Sequence, residues 1–183
     1  MRLSIVFTSS AVLGLVTLGV ILAAHGCAHA IPDPPVTTVL VVRHAEQLRD
    51  RSDDPALSEA GVERTAQLKQ TLRAMEIDVV YATQLLRKQQ TAYPVAEARG
   101  LPVNQMDADS VDALVSQILS DHAGLTVLAV VHGDTAIRIL QQLGVSLESL
   151  PGKPFARYDD LFVVTVWGSG KAQAVRLKYG DPR

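Results

Sequence analysis

Val39-Leu40-Val41-Val42 is an unbroken apolar run that stops abruptly at Arg43-His44. A β-branched run with no polar alternation is the pattern of a strand covered on both faces, as in the interior of a parallel sheet. Strands of that kind carry their chemistry at their carboxyl ends, where loops and helix N-termini gather. The run therefore predicts a sheet layered between helices, with a site at Arg43 and His44.

The rest of the chain repeats a strand, loop and helix pattern. Residues 47–56 are polar and rich in Arg and Asp, and read as a surface loop. Ser58 caps a predicted helix whose apolar positions Val62, Thr65, Leu68, Leu72 and Met75 recur at three- and four-residue spacing, ending near Glu76. A second strand is expected at Ile77 to Ala82, followed by a helical segment through Arg99 that Pro94 should kink or divide. Gly100 and Pro102 close that segment, and Leu101 to Met106 reads as a short third strand. Asp109 or Ser110 caps a helix with Val111, Leu114, Val115, Ile118 and Leu119 on one face, and Gly124 ends it.

Thr126 to Val131 is a second strongly apolar strand that also stops at a histidine, His132. The helix after it places Ala136, Ile139, Leu140 and Leu143 on one side. Beyond a loop at residues 146–157, strands at Leu161 to Trp167 and Ala172 to Tyr179 are joined at Gly168-Ser169-Gly170, a hairpin at a sheet edge. The expected fold class is α/β, a three-layer sandwich with a mainly parallel central sheet flanked by helices. The domain is expected over residues 38–183.

The amino terminus is different in kind. Arg2 is followed by an apolar stretch from Leu3 to Ala24, a targeting pattern and no part of the globular fold. Ala28-His29-Ala30 fits ordinary signal cleavage, Gly26-Cys27 fits lipid attachment at the cysteine, and an uncleaved anchor is the third reading. Residues 31–37, with Pro32, Pro34 and Pro35, form a stiff linker. Export to the periplasm or cell envelope is expected, with membrane contact only through residues 1–30 or a lipid on Cys27. Cys27 is the sole cysteine, so the domain has neither a disulfide nor a thiol nucleophile. A net charge of −2 and a pI near 6.2 give no basic face, which argues against nucleic acid as a partner.

Two arginines and two histidines converging on one crevice suit a dianion, since guanidinium forks match phosphate oxygens in pairs. A neutral histidine among such donors can attack phosphorus and divide a difficult hydrolysis into two easier steps. Four motifs carry this further: Val-Val-Arg43-His44-Ala-Glu46, Leu57-Ser58-Glu-Ala-Gly61, Thr83-Gln84-Leu-Leu-Arg87-Lys-Gln-Gln-Thr91-Ala92 and Val-Val-His132-Gly133. Together and in this order they resemble the histidine phosphatase superfamily, also called phosphoglycerate mutase-like.

The resemblance implies His44 as nucleophile, with Arg43, Arg87 and His132 forming the phosphate pocket. It implies a small phosphorylated substrate, no metal and no cofactor. It also implies a proton donor, which the family places either as a Glu beyond the second Arg or as an Asp directly after the second His. Here the first region offers Asp107, Asp109 and Asp112, and in the second Gly133 intervenes before Asp134, the favoured candidate. Thr83 and Glu46 are lesser candidates for substrate contact, Glu46 being expected mainly to orient its loop. His122 is expected only to suit a helix C-terminus. The function expected is a metal-independent phosphatase of phosphomonoesters acting through a phosphohistidine. Its rivals are a protein phosphohistidine phosphatase and a non-catalytic phosphate-binding envelope protein.

Overall fold

The opening apolar run lies in strand β1, Val36–Arg43, and its alternate side chains serve two separate cores. The structure, a computed structural model, describes residues 35–150 and 152–181. The targeting segment, Cys27 and Ala30, and the linker as far as Pro34 lie outside the described residues.

Val39 and Val41 point into one core, Leu40 and Val42 into the other, and all four are fully buried. Each such side chain contributes roughly 1.5–3 kcal/mol of transfer free energy, which is why the run carries no polar residue on either face. On the Leu40 side lie α1 (Glu59–Thr71) and α2 (Leu86–Glu97), supplying Leu68, Ala92 and Val95. On the Val39 side lie α3 (Val111–Ser120) and α4 (Gly133–Gln142), supplying Leu114, Ile118, Ile139 and Leu140.

Between these layers runs a six-stranded sheet in the order β3-β2-β4-β1-β5-β6. β2 (Val79–Thr83), β3 (Val103–Met106) and β4 (Thr126–Val131) extend from β1 in parallel pairings, while β5 (Asp160–Trp167) and β6 (Ala172–Lys178) are antiparallel. The mixed, mainly parallel three-layer architecture and the edge hairpin are as the sequence predicts.

Several boundaries differ. Helix α1 ends at Thr71, not near Glu76, because the N–H of Leu72 closes on Leu68 and the chain then turns, Met75 N–H bonding Leu72 O. Val62, expected inside, is 58% exposed. The face of α1 that packs inward is built from Gly61, Arg64, Thr65 and Leu68. α2 runs through Pro94 as one helix, and Leu119 is exposed beside the buried Ile118. β1 begins at Val36 and β2 at Val79.

The positioning of the site follows from one register. Arg43 of β1 pairs with Val131 of β4, so the residues just beyond them, His44 and His132, emerge side by side at the carboxyl ends of the two central strands. The N–H of His44 still bonds Val131 O at 2.9 Å, which locks that alignment.

Candidate active site

The two imidazole rings stand 5.6 Å apart between centroids, tilted by 36°. His44 is 1% exposed. Its Nδ1 lies 2.8 Å from the carbonyl oxygen of Ala45; a carbonyl only accepts, so Nδ1 carries the hydrogen and Nε2 is left with a lone pair. That Nε2 is buried and makes no hydrogen bond among the described residues. Burial pushes the imidazole down from its ordinary 6.5 to about 3, against the opposing pull of the Ala45 carbonyl and with help from the charges of Arg87, Arg43 and His132. The ring is therefore neutral at any physiological pH.

The peptide after His44 is pinned as well. Ala45 N–H donates to Thr91 Oγ1 at 3.0 Å, and the Thr91 hydroxyl donates in turn to Arg87 O at 2.7 Å. This accounts for the Arg87-to-Thr91 spacing: one turn of α2 holds both the cation and the tie to the loop after His44. The neighbouring motif has an equally local cause. Ser58 caps α1 by accepting from Gly61 N, and a Cβ at Gly61 would lie 2.1 Å from the Glu46 carbonyl oxygen, so only glycine lets α1 lie against the strand-end loop.

Arg43 stacks over the Tyr158 ring, its Cζ 4.2 Å from the centroid, and donates through one terminal nitrogen to Phe155 O at 3.2 Å. Phe155 has φ of +54°, and its ring is buried against Phe162 with centroids 4.9 Å apart. That unfavourable backbone conformation for an aromatic residue turns its carbonyl toward the guanidinium. Tyr158 also faces His44, ring centroids 5.9 Å apart.

Arg87 stands in the first turn of α2, not at the end of β2 as strand-end reasoning would have it, and its guanidinium lies 3.6 Å from the Asp54 carboxylate. Asp54 accepts the N–H of Leu86 at the same time, so the loop of residues 47–56 caps the helix and steers the arginine together. The Nε atoms of Arg43 and Arg87 are both buried without a hydrogen-bond partner among the described residues. Two rigid guanidinium groups with unused donors flank a histidine with an unused lone pair.

His132 caps α4 and is 42% exposed on its side chain. Burial and the charge on Arg43 lower its pKa, Asp134 opposes, and Lys88 and Arg87 lower it further. Arg43, His132, Gly133, Asp134, Lys153 and Phe155 are among the residues around a cavity of about 230 Å³ at this point. A larger, mostly apolar hollow of about 530 Å³ between α1 and α2 contains none of the histidines or arginines of the site.

The structure brings Arg43, His44, Arg87 and His132 together. Asp134 sits at the rim, 93% exposed, its carboxylate 3.8 Å from His132 Nδ1. Glu46 gives both carboxylate oxygens to Arg64, at 2.7 to 2.9 Å, in keeping with its expected part in orienting its loop. Thr83 is fully buried at the end of β2, and its hydroxyl makes no hydrogen bond among the described residues. His122 hydrogen-bonds the Tyr81 hydroxyl at 2.8 Å, a more specific role than the helix end alone. Among the described residues there is no cluster of His, Cys, Asp and Glu able to hold a metal ion. Tyr158, Phe155 and Asp54 are not legible in the sequence as site residues, because all three stand in loops without a motif.

Residues 39–108 match the model of the histidine phosphatase superfamily, branch 1. Among solved structures, the protein histidine phosphatase SixA complexed with tungstate is 21% identical with a TM-score of 0.62, covering 77% of this chain and 96% of that one. A putative alpha-ribazole-5'-P phosphatase from Escherichia coli is 16% identical with a TM-score of 0.64, covering 78% and 96%. A mycobacterial glucosyl-3-phosphoglycerate phosphatase is 12% identical with a TM-score of 0.61, covering 79% and 100%. At these identities the likeness is one of fold. No curated protein sequence matches the chain.

Proposed function

We propose that this chain, whose residues 39–108 match the histidine phosphatase superfamily model, is a member of that superfamily and a metal-independent phosphatase that hydrolyses phosphomonoesters through a phosphohistidine at His44. The observation that carries the reading is the state of His44: hydrogen held on Nδ1 by the Ala45 carbonyl, lone pair free on a buried Nε2, and two arginine Nε donors unpaired beside it.

The substrate's phosphoryl dianion sits between Arg43 and Arg87, which neutralise its peripheral oxygens, and His132, which donates a hydrogen bond, and the three hold it while charge redistributes. The Nε2 lone pair forms a bond to phosphorus as the bond to the leaving oxygen breaks in line on the opposite side. The leaving oxygen takes a proton, with Asp134 at the rim as the proposed donor; a leaving group of low pKa departs without one. Water then attacks the phosphohistidine, its oxygen bonding phosphorus as the P–N bond breaks and one of its protons passing to the Asp134 carboxylate, which gives inorganic phosphate, a neutral His44 and a reprotonated donor. Each step needs a nucleophile that is uncharged on arrival and on departure, which the depressed pKa of His44 provides.

A protein-borne phosphohistidine is the second reading. It is favoured by the open mouth of the pocket, where His132 is 42% and Asp134 93% exposed. Comparing a phosphohistidine peptide with a sugar phosphate separates the two. The proposed location is the cell envelope or periplasm, supported by the apolar segment of residues 3–24, and no helix among the described residues is long and apolar enough to cross a membrane. If Cys27 carries a lipid, Cys27→Ser moves the protein from the membrane to the soluble fraction.

The deciding experiment is hydrolysis of p-nitrophenyl phosphate in the presence of a chelator by protein lacking residues 1–30. Turnover is expected in the wild type and absent in His44→Ala. Undiminished turnover in His44→Ala would overturn the mechanism.

A further inference from the structure

Lys88 is 2% exposed, and among the described residues its side chain makes no hydrogen bond and no ion pair. Arg64, the other lysine or arginine buried to the same degree among the described residues, lies on Glu46. The ammonium is not among the fully sealed polar atoms, so the little exposure of this side chain lies at its charged end, and an ammonium held almost out of water with no acceptor is suited to meet an anion there.

Its placement says which anion. Lys88 is in the first turn of α2, beside Arg87 and three residues before Thr91, whose hydroxyl receives the N–H of Ala45. Residues three apart share a helix face, and helical side chains lean toward the N-terminus of their helix. The stem of Lys88 therefore runs along the face that holds the nucleophile loop, toward the end where Arg87 meets Asp54. Charge effects agree. The Lys88 ammonium depresses His132 more than Arg87 does, and its own pKa is lowered by burial first and by Arg87 second, with Asp54 opposing.

We infer that Lys88 is a further phosphate-binding residue, whose Nζ donates to a peripheral oxygen of the phosphoryl dianion between Arg87 and His132. This rests on the phosphatase reading for the identity of the anion. It adds a cation to the two arginines and sets the pocket against monoanionic phosphodiesters, which lack the charge to satisfy it.

Calorimetry of inorganic phosphate binding to the full-length chain in detergent tests this, together with thermal melting in phosphate-free buffer. Lys88→Met keeps the length and apolar stem of the side chain but loses the charge. The expected result is a phosphate Kd raised at least about tenfold, a loss the size of one charge-assisted hydrogen bond, with a melting temperature unchanged or higher. Lys88→Arg is expected to stay within about threefold of the wild type by the same criterion. An unchanged Kd in Lys88→Met overturns the assignment. A lower melting temperature with an unchanged Kd overturns it in favour of a structural role. An unchanged Kd with slower hydrolysis of alkyl phosphates, but not of p-nitrophenyl phosphate, overturns it in favour of proton donation. Failure of the wild type to bind phosphate overturns the phosphatase reading and this inference together, and so is distinguishable from failure of Lys88 alone.

Discussion

Ala45 donates its backbone N–H to the hydroxyl of Thr91 at 3.0 Å, so the peptide that follows the nucleophile is tied to the helix that carries Arg87. Thr91 is itself fully buried, which makes the bond one with no water to replace it. Thr91→Val keeps the shape and strands the Ala45 N–H. A loss of about 1–3 kcal/mol in urea unfolding is expected, the cost of an unsatisfied buried donor. The looser His44 should also lower kcat more than it raises KM, and Thr91→Ser should restore both. Equal stability of the valine variant would show that the bond is dispensable.

The depressed pKa of His44 has a signature in stability. Unfolded, the imidazole gains a proton as pH falls through 6.5; folded, it resists until about 3. Between those values the unfolded state holds the extra proton, so stability drops as pH drops, by at most about 1.4 kcal/mol per pH unit. Above 6.5 the contribution is complete. His44→Asn removes the group, and its unfolding free energy should fall less steeply than that of the wild type across this acid window. Parallel slopes for the two proteins would mean that His44 is not held neutral.

Tyr158 acts through Arg43. Removing the ring in Tyr158→Ala leaves the guanidinium with the Phe155 carbonyl as its one observed partner, and kcat/KM for p-nitrophenyl phosphate is expected to fall roughly 3- to 30-fold, the worth of one cation–π contact. Tyr158→Phe retains the face of the ring and should keep near wild-type values. Equal damage from alanine and phenylalanine would shift the role to the hydroxyl.

These residues show what the sequence made legible and what it did not. β1 and β4 could be read because both faces of each strand are covered, which leaves an unbroken apolar spelling. His44 and His132 followed from where those spellings stop. The inner face of α1 could not be read in the same way, since it is lined by a glycine chosen for its missing Cβ and by an arginine whose charge is met from another element by Glu46. Neither spells burial, and Val62, which does, is exposed. Tyr158 and Phe155 were hidden for a related reason: a loop residue is placed by the tertiary contacts of its neighbours, here the Phe155 ring on Phe162 and the Asp160 carboxylate on Phe155 N–H. Glu46 could be read as orienting its loop, but its partner Arg64, 18 residues away on α1, could not.

The same Arg64 reaches past Glu46 to the carbonyls of Tyr179 and Asp181, and β1 itself is paired on one side by β4 and on the other by β5. The strand that bears the nucleophile is thus the first of the domain to be synthesised and among the last to be enclosed. Until the stretch around residues 160–181 has been made, β1 lacks a neighbour and Arg64 lacks two of its acceptors. A nascent chain of this design keeps the pocket around His44 unassembled until its last strands have been made.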